Sequence, residues 1–189
     1  METNASLQDL TLGQILDRTV EKFGDNDAIV YADRGLRLTY RQFSDRVDEM
    51  ARGLMALGVQ KGEKVAVWAT NIPDWIILQF ATARIGAVLL TVNTNYKSAE
   101  LEYLLIQSET ENLFLIDGYQ DTDYVNTVYE LVPELKTQER GRLKAQKFPR
   151  LKRVAFLGQQ KHRGMYAMPE IRALHVMTSQ ADYKARQAS

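Results

Sequence analysis

Four short apolar runs, Lys64–Ala69, Val88–Val92, Leu113–Ile116 and Leu151–Leu157, constrain this chain more than any other feature. Val88–Val92 and Leu113–Ile116 do not alternate apolar with polar residues. They are continuously apolar, as strands are when a sheet is covered on both faces. The stretches between the runs carry helical periodicity and are long enough for crossover connections, so successive strands should pair in parallel with right-handed connections. The predicted class is α/β: a doubly wound, mostly parallel sheet with helices on both faces, preceded by a helix and a β-hairpin.

The helices announce themselves by their ends. Thr11 precedes Leu12, Ile15, Leu16, Val20 and Phe23 at helical spacing; Gln14 is placed to complete a capping box and Gly24 to stop the helix. Ala28–Tyr31 and Leu36–Tyr40, joined by Ala32-Asp33-Arg34-Gly35, read as the hairpin. Thr39 and Gln42 repeat the capping pattern ahead of a stripe of Phe43, Val47, Met50, Ala51, Leu54 and Leu57 that ends at Gly58. Pro73–Ile85 is apolar nearly all round and is predicted to be a buried helix, with Pro73 and Asp74 suited to its first turn. Ser98 is expected to cap a helix running through Gln107, and a further helix is expected over Asp121–Leu135, with Pro133 near its end. Past Gly158 the signals weaken. Ile171–Arg186 has helical spacing but few apolar positions after Met177, so residues 1–10 and 178–189 are expected to be poorly ordered.

A length of 189 residues suits one sizeable core. With no cysteine, a disulfide framework and a thiolate nucleophile are excluded, and two histidines, His162 and His175, argue against a zinc cluster. A reducing, cytoplasmic location fits that usage. Met1–Leu10 lacks the basic-then-apolar pattern of a secretory leader, and Trp75–Val92 is broken by Gln79, Arg84 and Gly86, so no transmembrane segment is expected. From Arg140 to Pro169 there are nine Lys/Arg and no Asp/Glu. Only Phe148, Phe156 and Tyr166 interleave them, at irregular spacing, so the segment reads as a solvated surface and no nucleic-acid partner is expected.

A search for chemistry finds little. No Gly-rich loop stands between a strand and a helix to cradle a phosphate; Gly53 and Gly58 have P-loop spacing, but Val59 follows where lysine is required. There is no G-x-S-x-G elbow, and neither histidine has serine and carboxylate partners at a recognisable spacing. The acid pairs Glu109/Glu111 and Asp121/Asp123 lie in polar stretches and read as solvated side chains. The residues describe a scaffold with no catalytic group.

Leu38-Thr39-Tyr40-Arg41-Gln42-Phe43 resembles the first core motif of the adenylate-forming enzymes. It is followed in order by Gly58-Val59-Gln60-Lys61-Gly62-Glu63-Lys64-Val65-Ala66-Val67, Asn71-Ile72-Pro73-Asp74-Trp75, Ala83-Arg84-Ile85-Gly86-Ala87-Val88, Val92-Asn93-Thr94-Asn95-Tyr96 and Glu100-Leu101-Glu102-Tyr103. The resemblance, from about Thr11 to Leu157, is to AMP-forming acyl-CoA synthetases, and in Asn93–Tyr103 to those acting on medium-chain or longer fatty acids. Gln42-Phe43 replaces the usual Glu-Leu, and Arg84-Ile85 the usual Lys-Ala. The resemblance implies a parent that activates a fatty acid with ATP and Mg2+ to an acyl-adenylate and then passes the acyl group to CoA. It also implies that 1–189 is the N-terminal portion of the AMP-binding domain, truncated before the phosphate-binding loop. The chain alone is then expected to be inactive, with exposed apolar surface that promotes self-association. Asn93, Thr94, Asn95 and Tyr96 either serve structure alone or border the CoA nucleotide. Two other readings stand beside this one: an adenylation domain or luciferase-like member of the same superfamily, and a stand-alone α/β binding module.

Overall fold

A computed structural model describes residues 10–188. The expectation of poor order at residues 1–10 therefore lies, but for Leu10, outside the described residues. Helix α1 (Leu12–Phe23) carries the anticipated capping box, with Gln14 N donating to Thr11 Oγ1 at 3.2 Å and Thr11 N to Gln14 Oε1 at 2.9 Å. Strands β1 (Asp27–Tyr31) and β2 (Leu36–Thr39) form the antiparallel hairpin, turned through a 3-10 segment at Ala32–Arg34 and Gly35 at φ 61°. Thr39 then caps α2 (Tyr40–Ala56) in the same way.

The main sheet is wholly parallel and uses all four apolar runs. After α2 come β3 (Lys64–Trp68), α3 (Pro73–Arg84), β4 (Val88–Thr91), α4 (Ser98–Gln107) and β5 (Asn112–Leu115). A small hairpin, β6 (Gly118–Tyr119) and β7 (Thr122–Asp123), leads into α5 (Tyr124–Leu131). Then follow β8 (Arg153–Phe156), β9 (Tyr166–Ala167), α6 (Met168–Ala173) and α7 (Gln180–Ala188). Across the sheet the order is β4-β3-β5-β8-β9. The first crossover steps one way and the later ones step back. Right-handed connections therefore put α3 on one face and α4 and α5 on the other. Strand β3 shows the result residue by residue: Val65 and Val67 join the core with α2 and α3, while Ala66 and Trp68 join the core with α4 and α5.

Several expectations need correction. Strand β4 is an edge strand, because it pairs with β3 alone; Val88 is 49% exposed, so its continuous apolar run is not covered on both faces. Helix α3 buries Ile77, Leu78 and Ala81 but leaves Ile76 39% exposed and Trp75 half-buried. Ser98 is the first residue of α4 rather than its cap; Glu100 instead reaches back to the Lys97 N–H at 3.1 Å. The helix expected over Asp121–Leu135 is in fact the β6–β7 hairpin, α5, and a 3-10 turn at Pro133–Lys136. The helix starts later than expected, capped by Asp123, and Pro133 cannot continue its hydrogen-bond ladder. The segment 178–188, expected to lack order, is docked. Tyr183 is buried and donates to Asp48 Oδ1 at 2.7 Å, Ser179 caps α7, and Thr178 exchanges hydrogen bonds with Arg52. One aromatic anchor does there what a stripe does elsewhere.

The basic segment is not merely a solvated surface. Among the described residues, Arg150, Lys152 and Arg153 pair with Glu63 and Glu111, Lys147 with Glu102, Arg140 with Glu170 and Arg142 with Glu139. Glu111, expected to be solvated, is buried and accepts the Lys64 N–H at 2.8 Å. Most of the positive charge from 140–153 thus faces carboxylates.

Gly53, inside α2, faces the carbonyl of Ile171; a β-carbon there would stand 2.2 Å from that oxygen. Glycine-to-alanine changes inside helices ordinarily stabilise by about 1 kcal/mol. Here the clash reverses the sign, and Gly53→Ala is expected to destabilise by roughly 1–3 kcal/mol, as overpacking does. Thermal unfolding of the variant checks this through a lower Tm.

Candidate functional site

In open parallel sheets, ligands settle outside the carboxyl ends of the strands, where the strand order reverses. Here that point lies between β3, which connects leftward to β4, and β5, which connects rightward to β8. Trp68 is the last residue of β3. The predicted residues Asn93–Tyr96 follow β4, one strand away on the same edge, so the fold places them beside the switch point rather than at its centre.

Their loop is tightly determined. Val92 N donates to Val67 O at 3.0 Å, keeping the chain in register with β3 as it leaves the sheet. The Asn93 side chain then folds back to accept the Asn95 N–H at 2.9 Å, an Asx turn, while Tyr96 N donates to Asn93 O at 3.1 Å. Two interior groups hold the same turn from beneath: Trp68 Nε1 donates to Asn93 O at 3.1 Å and Tyr124 Oη to Thr94 O at 2.6 Å. Their rings are stacked, 3.6 Å between centroids and 9° from parallel. Burial pushes the Tyr124 phenol up to about 12, with the neighbouring Tyr119 adding to it, so its hydroxyl remains a donor at physiological pH.

A polar cleft of about 260 Å³ opens between this loop and the β6–β7 hairpin, lined by Thr94, Asn95, Lys97, Tyr119, Gln120, Asp121 and Thr122. Lys97 spans it, with Nζ 2.7 Å from Asp121 Oδ1 and 2.5 Å from Thr122 Oγ1. The Lys97 ammonium holds the exposed Asp121 carboxyl below its ordinary range. Lys97 is the cation this cleft can offer to a phosphate, shared with Asp121. Thr94 and Asn95 line the cleft; Asn93 and Tyr96 do not, since Asn93 forms the turn and Tyr96 packs partly into the core. Reading the residues alone missed Lys97 and the hairpin. The hairpin turns at Gln120-Asp121, with Gln120 at φ 53°, a pair that carries no glycine to signal it.

Charged groups that are buried lie elsewhere. At the amino edge of the sheet, Glu63 is 5% exposed and meets Lys152 at 2.6 Å and Arg153 at 3.1 Å, with Asn112 donating to it as well. Burial alone would raise the Glu63 carboxyl, but hydrogen bonds from Lys152 and Asn112 and the charge of Arg153 hold it below its usual range. Beneath α3, Arg84 bridges Asp17 at 2.6 Å and Asp48 at 2.9 Å, and also donates to Ser44. Burial raises the Asp48 carboxyl despite Tyr183 and Arg84. Both clusters join secondary elements away from the cleft, and each is a structural ion-pair network rather than a tuned acid–base pair. Among the described residues, no group of three or more His, Asp or Glu could hold a metal ion. None of their helices is long and apolar enough to cross a membrane.

Comparison with known proteins bears on the fold and the family. Residues 16–178 match the family model described as AMP-binding enzyme. YngI of Bacillus subtilis, provisionally assigned as an acyl-CoA synthetase, is 43% identical over 185 residues, covering 98% of this chain and 34% of its own length. The mouse mitochondrial medium-chain acyl-CoA ligase ACSF2 is 33% identical over 152 residues, 80% of this chain and 25% of the ligase. A crystal structure from Rhodopseudomonas palustris CGA009, provisionally assigned as a long-chain-fatty-acid CoA ligase, superposes with a TM-score of 0.69 at 26% identity, over 93% of this chain and 38% of that one. The chain thus spans between a quarter and about a third of the length of these two sequence relatives.

Proposed function

The chain belongs to the AMP-binding enzyme family, and from that premise we propose that it supplies the first α/β unit of an acyl-CoA synthetase. The parent enzyme in this reading activates a fatty acid of medium or greater length with ATP and Mg2+ to an acyl-adenylate, then transfers the acyl group to CoA. The observation that carries the reading is the 43% identity to the Bacillus subtilis relative, sustained over 185 residues.

Within that activity, the 189 residues hold the scaffold and one edge of the CoA site, at Asn93–Tyr96. The polar cleft beside the loop and Lys97 within it suit the phosphate-bearing end of CoA. The sequence has no Gly-rich phosphate loop, so no step through ATP is assigned to it. In this reading the chemistry belongs to other parts of the parent enzyme. Purified chain supplied with ATP, Mg2+ and a medium-chain fatty acid is expected to release no pyrophosphate above background. Fatty-acid-dependent pyrophosphate release would overturn the non-catalytic assignment.

The exposed apolar residues Ile76 on α3 and Val88 on the unpaired edge β4 also support self-association of the isolated chain. Sedimentation velocity is expected to show a mass that grows with concentration; a monomer at all concentrations would contradict this.

A further inference from the structure

We propose that Trp68 and Tyr124 are positioning residues for CoA: a stacked interior pair that draws the carbonyls of Asn93 and Thr94 inward and thereby fixes the segment that meets the nucleotide. The inference rests on the reading of Asn93–Tyr96 as an edge of the CoA site, and adds what sets the shape and polarity of that edge.

The geometry is specific. The two donors come from different elements, Trp68 from the end of β3 and Tyr124 from the first turn of α5, and they grip adjacent carbonyls of one turn. Tyr124 is itself fixed at both ends, its N–H donating to Asp117 O at 2.9 Å and its ring lying against Trp68. Both side chains are fully buried, so neither touches a ligand in the cleft. Their effect on a ligand is indirect and electrostatic. A peptide carbonyl left free at the cleft would present negative charge to a phosphate; one whose oxygen is held by an interior donor presents less. The same two bonds fix the backbone that carries Thr94 and Asn95, which line the cleft, and leads into Lys97. Position and polarity are therefore set together by residues that the motif itself does not contain.

Tyr124→Phe removes one hydroxyl and keeps the stacked ring, and Trp68→Phe removes the N–H donor from the other side. Tyr129→Phe is the control, because Tyr129 Oη also donates to a single carbonyl, that of Arg163 at 2.9 Å, away from the cleft. Calorimetric titration of the whole chain with CoA is expected to give a Kd raised about fivefold by Tyr124→Phe, the loss that one neutral hydrogen bond commonly produces. Trp68→Phe should act in the same direction, and Tyr129→Phe should leave CoA affinity unchanged. Hydrogen exchange read without ligand is expected to speed up in Tyr124→Phe at the amides of Asn95 and Tyr96, and not at Val92, which is bonded into the sheet. Equal weakening by Tyr129→Phe would reduce Tyr124 to a general stability residue and overturn the proposal. So would unchanged exchange at Asn95 and Tyr96. Failure of the unaltered chain to bind CoA would remove the reading beneath it, and that result is visible before any variant is made.

Discussion

Arg153→Ala is expected to lower the unfolding free energy by about 3–5 kcal/mol, the range found when one partner of a buried ion pair is deleted. The guanidinium is 14% exposed and fills four acceptors: Leu57 O, Gly58 O, Glu63 Oε2 and Asn112 Oδ1. Those acceptors belong to the end of α2, the start of β3 and the start of β5, so one side chain ties three elements at the amino edge of the sheet. Alanine leaves Glu63 buried with Lys152 as its remaining cation and strands the Leu57 carbonyl, while Gly58 O keeps the Gln60 side-chain donor. Arg153→Lys keeps the charge but loses the fork that reaches four oxygens, and should fall between wild type and alanine. Urea unfolding of the three proteins checks the order. The same site sets an acid limit. Because the folded-state Glu63 carboxyl lies below its ordinary value, its contribution is complete above the unfolded carboxylate range, near pH 4.3, and is lost as pH falls through the folded value. Asp48, raised by burial, has the opposite sign: its penalty on the folded state grows as pH rises from the ordinary value through the folded one.

Arg84→Ala should cost roughly 2–4 kcal/mol. The side chain is 4% exposed and lies between Asp17 of α1 and Asp48 of α2, and Asp48 in turn accepts from Tyr183 of α7. Removing the cation leaves Asp48 partly buried beside a phenol that only partly satisfies it. Asp17 is half-exposed and recovers solvation, which keeps the loss toward the lower end. The consequence reaches beyond thermodynamic stability, because Tyr183 is the buried anchor of α7. Arg84→Ala is therefore expected to make 180–188 the first segment cut in limited proteolysis, with the sheet still folded. Arg84→Lys, which restores the residue type common to the resembling enzymes, should rescue most of the protection. Equal proteolysis of wild type and Arg84→Ala would show that the network does not hold α7.

Most of the architecture was legible wherever periodicity was sustained. Thr11/Gln14 and Thr39/Gln42 marked two helix starts by capping boxes that the structure contains, and the four apolar runs became four of the five parallel strands. What was lost was short or depended on distant partners. Strand β9 is two residues long, below any periodic signal. Helix α7 has one buried side chain, so its order depends on Asp48, 135 positions away, rather than on a stripe. Glu63 and Glu111 look solvated in a list of residues because their cations lie 39 to 90 positions further on. Of the candidate site, the loop could be named from its motif, but not the Trp68–Tyr124 stack beneath it. Trp68 reads as an ordinary core residue of a strand, and Tyr124 falls one turn inside the expected Asp121–Leu135 helix, whereas it is the first residue of α5.

The most direct test of the central claim, that this family scaffold holds an edge of the CoA site at the loop after β4, is a backbone amide NMR titration of the 189-residue chain with CoA. The predicted result is saturable shifts confined to Thr94–Lys97 and Tyr119–Thr122, the residues around the cleft. Shifts centred elsewhere, or none at saturating CoA, would contradict it.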